Sequence, residues 1–458
     1  MNLYEKHYEK KYLNRIVHTT LNPDKPGVVR IHLVPSKFSF FRTRPSIVIL
    51  NGKDIVPLNT SWTILLSIFI DQINNYKGQE ISDEQLNKVV ENTIENIRNV
   101  YRDAHADEVK NDLWNMINLF TAIANKEETD IDVGQTSIGN FARVMRAPHR
   151  MDLMISSMKK NNNWNCNQKC MHCYAANQDY AETKELSTNE WKKVIDICKQ
   201  NCIPQITFTG GEPTLREDLV ELVEYSQWFV TRLNTNGVLL TKELCEKLYN
   251  ASLDSVQITL YSNVPEVHNK LVGANNFDKT VEGIKNAIKV GLSVSINTPL
   301  CSLNKDYLST LKFAKELGVT YASSSGLIVT GNAKNEESVS TQLSENEITQ
   351  VMEEACKYAE EQEMELSFTS PGWISEDNLR KMKLDIPACG ACLSNMAVSP
   401  DGNVMPCQSW LGKKSSLGNI LKVKWKKIWN NSKCKKIRNN SSKSSFTCPL
   451  RGGKTNEK

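Results

Sequence analysis

Three cysteines stand close together in the stretch NWNCNQKCMHCYA, which covers residues 163–175. Cys166, Cys170 and Cys173 are separated by three and then two residues, which is too tight for three independent core thiols on regular structure. Three thiolates from one loop can hold a four-iron, four-sulfur cluster and leave one iron open to bind and reduce a substrate or cofactor. A zinc site is the alternative, with His172 as fourth ligand, although its place between two of the cysteines would strain a tetrahedral shell.

A second group of cysteines lies near the C-terminus. The stretch CGACLSNMAVSPDGNVMPC contains Cys389, Cys392 and Cys407, and Cys448 follows in FTCPL. Four cysteines suffice for a closed iron–sulfur cluster. A zinc ribbon is the alternative, because two separated pairs of cysteines also suit that metal.

The composition is that of a folded protein with two or three domains, since 40% of the 458 residues are hydrophobic and 24% are charged. The apolar run TILLSIFI is far shorter than the ~20 residues of a membrane helix, and the first residues lack the apolar core of a signal peptide. We therefore expect a cytoplasmic protein without a membrane partner, whose clustered cysteines bind metal or act as catalytic thiols. Residues 411–458 hold fourteen Lys or Arg against Glu457 alone, which we interpret as a solvated surface rather than a nucleic-acid site.

Strands and helices alternate in the middle of the chain, which indicates parallel strands with right-handed crossovers. Polar residues share one strand face, with Ser293, Ser295 and Asn297 on one strand and Gln257 and Thr259 on another. Helices would cover the apolar face, so we predict an incomplete α/β barrel around a polar ligand rather than an open sheet covered on both faces. The predicted strands are 205–209, 230–236, 255–260, 293–299 and 321–329.

The first 125 residues predict a small α+β domain. Strands are expected at VVRIHLV, SIVIL and KDIV, with Asn51-Gly52 as a hairpin turn. Thr60 and Ser82 are predicted helix N-caps. A peptide could add a strand at an exposed edge such as 28–34. The predicted organisation is a recognition domain at 1–125, a linker at 126–150, the barrel at 151–335, and bridging helices with a cysteine-rich domain at 336–458.

The Cys-x3-Cys-x2-Cys motif followed by an α/β series resembles the radical S-adenosylmethionine (SAM) superfamily. The resemblance implies a partial (β/α)6 barrel and the reductive cleavage of SAM to methionine and a 5′-deoxyadenosyl radical that abstracts a substrate hydrogen. It also implies contacts at strand ends, where parallel α/β folds bind ligands. The implied cofactor contacts are Gly210, Gly211 and Glu212 in GGEP for the methionine amino group, Thr235 and Asn236 in NTNG with Asn297 for the ribose region, and Ile328 in GLIVTG beside the adenine.

The spacing of Cys392, Gly402 and Cys407 resembles the opening of SPASM and twitch domains, which bind auxiliary iron–sulfur clusters. LGNI and WKKIW also resemble that extension. The resemblance implies one auxiliary cluster of the four-iron, four-sulfur type, with the four cysteines of the second group as its expected ligands, because no series of closely spaced cysteines follows the gap. Whether Cys389 or Cys392 is the family-equivalent ligand stays open.

The N-terminal domain resembles the winged-helix element that binds leader peptides of ribosomally made, post-translationally modified peptides. We therefore predict an oxidoreductase that crosslinks a precursor peptide through a thioether or carbon–carbon bond, with flavodoxin or ferredoxin as electron donor. One alternative is a peptide epimerase, in which Cys301, at the end of the strand SVSINTP, would donate a hydrogen atom; an ordinary packed thiol is the other interpretation of that residue. Sulfatase maturation, tetrapyrrole modification and a noncatalytic iron–sulfur protein are further alternatives.

Overall fold

The computed structural model describes residues 3–13, 15, 17–21, 29–34, 46–50, 54–76, 81–125, 127, 139, 142–143, 145–443 and 446–451. Two compact units divide the chain, Met1–Arg146 and Ala147–Lys458. Within the described ranges, no helix has the length and apolar character needed to cross a membrane.

The N-terminal unit combines an antiparallel sheet with helices around one hydrophobic core. The strands β1 (Val17–Leu21), β2 (Val29–Val34), β3 (Ser46–Leu50) and β4 (Asp54–Leu58) are neighbours in chain order. Side chains of the sheet, such as Leu33 and Leu50, belong to one buried cluster. Ile64 and Phe69 of the helix Thr60–Ile73 belong to the same cluster. The described helices of this unit are Leu3–Leu13, Thr60–Ile73, Asp83–Val100 and Ala106–Asn125.

The strand predicted at 28–34 is not a sheet edge. It corresponds to β2, which pairs with β1 on one side and with β3 on the other. Its backbone groups are therefore used within the sheet, and a peptide cannot add to it. The edges of the described sheet are β1 and β4. The predicted Asn51-Gly52 turn lies outside the described residues.

The helix caps agree with the sequence at one position and differ at another. Ser82 forms a capping box with Gln85, whose side chain accepts from the Ser82 N–H at 2.9 Å. Asn59 rather than Thr60 caps the preceding helix, because the Asn59 Oδ1 atom accepts from the Trp62 N–H at 2.8 Å.

The C-terminal unit is built on a nine-stranded sheet. Six parallel strands lie side by side in chain order, and β13 (Glu365–Phe368) continues the series in parallel beyond the last of them. At the opposite edge β14 (Asn395–Val398) pairs in parallel with β5 (Arg150–Ser156), and β15 (Val404–Met405) pairs antiparallel with β14. A short hairpin, β6 (Lys159–Lys160) with β7 (Asn163–Trp164), follows β5. The six strands are β5 (Arg150–Ser156), β8 (Gln205–Gly210), β9 (Val230–Thr235), β10 (Ser255–Thr259), β11 (Ser293–Pro299) and β12 (Tyr321–Ser325).

The sheet is an α/β sheet that does not close into a barrel, because β13 and β15 are edges within the described residues. This confirms the prediction of an incomplete barrel. Helices connect the strands and continue into the C-terminal region. Their bounds are Thr188–Gln200, Leu219–Tyr225, Lys242–Asn250, Pro265–Val272, Phe277–Val290, Tyr307–Glu316, Glu336–Ser340, Glu345–Glu361, Glu376–Lys381, Trp425–Trp429 and Ser432–Ser441.

The two faces of the central strands differ in polarity, as the alternation predicts. Ile258 and Ile296 are fully buried on the apolar face. On the other face, polar side chains stand in register from strand to strand, and Thr259 of β10 pairs with Asn297 of β11. The Gln257 side chain of β10 donates to the Ser323 hydroxyl of β12 at 3.3 Å, although β11 lies between them. Polar side chains of three strands therefore meet on this face.

The sequence pattern missed the first strand of the series. β5 carries Asp152 in its middle, and a charged residue argues against a buried strand. The structure resolves this conflict because Arg150 binds the Asp152 carboxylate at 2.9 Å, while Asp152 is 1% exposed. An ion pair within the strand therefore permits the burial of the charge.

Candidate active site and auxiliary centre

The cysteine loop follows the β6–β7 hairpin and lies beside the end of β8. The Cys166 Sγ atom is 3.5 Å from the Gly211 carbonyl oxygen, which follows β8. Cys170 lies close enough to Cys166 and Cys173 to interact with both electrostatically. The structure thus brings together the three thiols that the spacing predicts as one ligand set.

Neighbouring segments hold the backbone of this loop by hydrogen bonds. Lys169 N–H donates to the Val272 carbonyl and Met171 N–H donates to the Leu271 carbonyl, each at 2.9 Å. From the other side, Asn332 donates to two carbonyls of the loop, with its backbone N–H to Cys173 at 2.9 Å and its side chain to Cys170 at 3.1 Å. These hydrogen bonds fix the position of the loop relative to its neighbouring segments.

Gly331 allows the segment after β12 to approach the loop this closely. Its φ is +59°, and a Cβ atom there would stand 2.4 Å from the Cys173 carbonyl oxygen. Ile328, predicted beside the adenine, lies in this same segment, and its carbonyl accepts from the Thr330 N–H at 2.8 Å. The GLIVTG motif thus packs against the cysteine loop.

His172 is engaged away from the cysteines. Its Nε2 atom lies 2.9 Å from the Thr341 hydroxyl, and burial lowers the pKa of the ring to about 4. Among the residues the structure describes, no three Cys, His, Asp or Glu side chains come close enough together to hold a single metal ion. A four-iron cube is wider than one ion, so its cysteines stand farther apart than zinc ligands do.

Burial makes the three thiols weak acids. It raises the pKa of Cys166 to about 12 and also raises the pKa of Cys170 and of Cys173. Because a metal binds the thiolate, assembly of a cluster here must displace these protons.

Glu212 connects the ends of two neighbouring strands. Its Oε1 atom accepts from the Thr214 N–H at 3.0 Å, from the Thr214 hydroxyl at 2.6 Å and from the Thr235 hydroxyl at 2.6 Å. Its Oε2 atom accepts from the Asn236 N–H at 2.9 Å and so keeps capacity for one further donor. Burial raises the pKa of Glu212, against the lowering effect of these bonds. The GGEP and NTNG motifs therefore form one hydrogen-bonded unit.

Asn236 extends this unit to the cysteine loop. Its Nδ2 atom donates to the Asn167 Oδ1 atom at 2.6 Å, and Asn167 directly follows Cys166. Asn297, the third predicted ribose contact, accepts from the Ser323 hydroxyl at 3.0 Å on the polar face.

Glycines at the end of β8 allow the backbone to approach β5 and the segment after it. A Cβ atom at Gly210, whose φ is +141°, would stand 2.2 Å from the Ser156 carbonyl oxygen. At Gly211 it would stand 2.9 Å from the Ser157 carbonyl oxygen. Only glycine fits both positions without a backbone shift.

The residues around the strand ends fit a polar ligand. In the described part of the chain, three buried polar atoms here have no hydrogen-bond partner: the Ser156 hydroxyl, the Asn167 Nδ2 atom and the Asn234 Oδ1 atom. Buried polar groups of this kind are nearly always hydrogen-bonded in folded proteins. Together with three free thiols, they provide donors and acceptors for SAM next to a ligand set for a cluster.

Cys301 lies in an apolar cluster rather than on an open surface. It is 0% exposed and shares that cluster with Tyr261, Leu271 and Leu327. Its backbone N–H donates to the Asn304 side chain at 2.8 Å. This environment favours the packed-thiol interpretation.

The second group of cysteines also converges. Cys407 lies within electrostatic range of Cys389, Cys448 and Cys392. Burial raises the pKa of Cys407 to about 12 and that of Cys448 to about 11.

A further cysteine lies at this centre, and it is not among the ligands predicted from the sequence. Cys434, in the helix Ser432–Ser441, is fully buried and lies close enough to the Cys392 thiol for the two groups to interact electrostatically. The neighbouring Cys392 thiol, together with the charge of Arg438, lowers the pKa of Cys434. Its isolated place in the lysine-rich stretch SKCKKIRNN left no spacing signal by which it could be found.

Comparisons with known proteins agree with this geometry. Residues 165–314 match the radical SAM superfamily, and residues 389–449 match the SPASM iron–sulfur cluster-binding domain. Fe-coproporphyrin III synthase from Methanosarcina barkeri is 40% identical over 145 residues, which are 29% of this chain and 36% of that protein. The AdoMet-dependent heme synthase of the same organism is 28% identical over 284 residues, which are 58% of this chain and 79% of that protein. The chain thus spans only about a third of the first relative.

A solved structure resembles the chain over a larger share of its length. The crystal structure of Streptococcus suis SuiB bound to its precursor peptide SuiA has a TM-score of 0.58 at 16% identity and covers 86% of this chain and 87% of that one. This likeness shows the fold. With the matched regions and the two cysteine centres, it leads to one conclusion: the chain carries a radical SAM domain, which uses a four-iron cluster and SAM, followed by a SPASM domain, which binds auxiliary iron–sulfur clusters.

Proposed function

We propose that this protein is a radical SAM oxidoreductase that crosslinks a ribosomally made precursor peptide through a thioether or carbon–carbon bond. The observation that carries the proposal is an N-terminal unit with its own core and antiparallel sheet, joined to the two iron–sulfur domains in one chain. The fold likeness to SuiB, a protein solved with its precursor peptide, extends over 86% of the chain. Neither of the two heme-related relatives matches so large a share of this chain.

The proposed ligands of the SAM-binding cluster are Cys166, Cys170 and Cys173, and those of the auxiliary cluster are drawn from Cys389, Cys392, Cys407 and Cys448. When bound, these groups and SAM supply a 5′-deoxyadenosyl radical that takes one substrate hydrogen, and an acceptor for the electron left by crosslinking.

The chain's own residues bind and orient the cofactor in this proposal. The Gly210 and Gly211 backbone and the free capacity of Glu212 Oε2 would receive the methionine ammonium group. Thr235, Asn236 and Asn297 would line the ribose region, where the Thr235 hydroxyl is bound to Glu212 and the Asn236 side chain to Asn167. Ile328, on the segment that packs on the cysteine loop, would contact the adenine.

The N-terminal unit would bind the leader segment of the peptide by strand addition. Among the described residues, the β1 edge is partly covered, because the Asn74 side chain donates to the His18 carbonyl at 2.9 Å. The β4 edge is therefore the proposed site.

A crosslinking reaction fits the site better than epimerisation. An epimerase needs a hydrogen donor that reaches the substrate radical, and Cys301 is 0% exposed within its apolar cluster. Crosslinking instead needs an electron acceptor, which the auxiliary centre offers.

Tetrapyrrole modification is the second candidate, favoured by sequence rather than by fold. Two relatives named for coproporphyrin and heme synthesis match 29% and 58% of this chain. Shared cleavage of SAM is enough to account for this sequence similarity, because one fold supports reactions on many substrates.

Anaerobic coexpression with each short open reading frame beside the gene tests the proposal. A crosslink appears in mass spectrometry as a loss of two hydrogens from the peptide, without deuterium uptake in D₂O. The Cys301→Ala variant should form the same product. Gain of one deuteron that disappears in Cys301→Ala would establish an epimerase instead. Turnover of an iron porphyrin with no modified peptide would support the tetrapyrrole candidate and reject the proposal.

A further inference from the structure

The helix Ser432–Ser441 buries an unusual set of side chains. Its buried residues are Cys434, Arg438 and Ser441, which recur at helical spacing and so lie on one face. A helix that packs on a hydrophobic core normally buries apolar residues on that face. This face carries a thiol, a guanidinium group and a hydroxyl.

All three side chains are directed at the auxiliary cysteines. Cys434 lies close enough to the Cys392 thiol for the two groups to interact electrostatically. The Arg438 Nη1 atom donates to the Cys434 Sγ atom at 3.5 Å. The Ser441 hydroxyl lies 3.8 Å from the Cys389 Sγ atom and donates to the Ala391 carbonyl at 2.8 Å. The helix therefore contacts both cysteines of the CGAC stretch.

Arg438 points to a negative charge at this centre. It is 5% exposed, and within the described residues no carboxylate forms an ion pair with it. Its other contacts are the Trp429 carbonyl at 3.2 Å and the Trp429 ring, whose centroid is 3.8 Å from the guanidinium carbon. A buried cation without an anionic partner is costly, and a cation–π contact offsets only part of that cost. Thiolates or an anionic iron–sulfur cluster would supply the missing charge.

The backbone at Cys392 supports a role for its thiol. Its φ is +56°, a left-handed conformation that favours glycine. Such strain is usually retained where the side chain has a function. The pair formed by Cys392 and Cys434 thus joins a strained residue of one segment to a fully buried residue of a distant helix.

We propose that Cys434 is one of the four ligands of the auxiliary iron–sulfur cluster, beside three cysteines of the second group, and that Arg438 donates a charged hydrogen bond to its sulfur. On binding iron the Cys434 thiol loses its proton to solvent, and the Arg438 guanidinium compensates the charge of the thiolate. Hydrogen bonds to cluster sulfurs raise the reduction potential. This inference rests on the SPASM domain and is independent of the peptide substrate.

The test uses the full-length chain with Cys166, Cys170 and Cys173 replaced by alanine, so that only the auxiliary cluster assembles. After anaerobic reconstitution this chain should hold about four irons. Adding Cys434→Ala should reduce iron and sulfide to less than half and abolish or alter the EPR signal of the reduced cluster. The matched control is Cys198→Ala, a fully buried thiol in the helix Thr188–Gln200, which should leave both unchanged.

Two further variants keep the test decisive if alanine disturbs folding. Cys434→Ser preserves the volume of the side chain and should lose iron in the same way, while circular dichroism shows a folded chain. Arg438→Gln should retain iron but shift the reduction potential to more negative values, whereas Arg380→Gln, on an exposed helix, should not. A Cys434→Ala chain that keeps about four irons with an unchanged EPR spectrum would overturn the proposal.

Discussion

At the scale of single residues, Glu212 is the group on which the geometry of the active site depends most. Its carboxylate accepts four hydrogen bonds from two strand ends. One of its donors, the backbone of Asn236, belongs to the residue whose side chain reaches the cysteine loop. The position of the cluster ligands and that of the cofactor contacts are therefore linked through one carboxylate.

Glu212→Gln should weaken SAM binding and destabilise the fold. The amide replaces one acceptor oxygen by a donor, which would face either the Asn236 N–H or the two hydroxyls. Loss of a hydrogen bond to a buried charged group costs about 2 kcal/mol. Isothermal titration with SAM and thermal unfolding measure the two effects. Glu217→Gln, an exposed position in the same stretch, is the control, and an equal loss in both variants would contradict this role of Glu212.

At the scale of elements, the close approach of β8 to β5 positions the GGEP motif. Gly210 pairs with Ser156 beyond a register shift in β5. The Gly211 N–H then donates to the Ser156 carbonyl at 2.8 Å. The shift allows the chain to leave the sheet toward the cysteine loop.

Gly210→Ala should force these two strand ends apart. The added Cβ atom meets a backbone oxygen at 2.2 Å, and φ is +141°, so we expect a loss of stability of about 3 kcal/mol. Chemical denaturation of the reconstituted protein measures the loss. Gly412→Ala, where the nearest atom is a side-chain oxygen at 3.9 Å, should be nearly neutral. Similar stabilities of the two variants would show that the contact does not constrain β8.

The elements also show what could be predicted from the sequence. Alternation placed Asn297 on the polar face, and motif order placed Glu212 and Asn236 at neighbouring strand ends. β5 was missed because an ion pair within the strand permits the charge of Asp152 to be buried, which no local pattern reveals. Cys434 was missed because its contact with Cys392 exists only in three dimensions.

At the scale of the whole molecule, the two compact units have separate cores. The N-terminal cluster of buried side chains draws on residues from Tyr12 to Phe120. The C-terminal unit has its own sheet and contains both cysteine centres. Each unit therefore has the means to fold by itself.

The fragment 147–458 should retain SAM cleavage but lose affinity for the precursor peptide. Release of 5′-deoxyadenosine in the absence of peptide should be within about twofold of that of the full chain, since the proposed cofactor contacts all lie in the fragment. Anisotropy of the labelled peptide measures binding. Equal affinity of fragment and full chain for the peptide would remove the proposed role of the N-terminal unit.

The parallel pairing of β14 with β5 has a consequence for synthesis on the ribosome. Met396 and Val398 of β14 are fully buried beside Met151 and Leu153 of β5, in register. The edge of β5 therefore stays open until residues beyond 398 emerge, some tens of seconds after β5 itself at bacterial elongation rates of about 5–20 residues per second. During that interval the nascent chain presents an apolar strand edge, which is a site for intermolecular pairing. Truncated chains that end before β14 would make this transient state permanent.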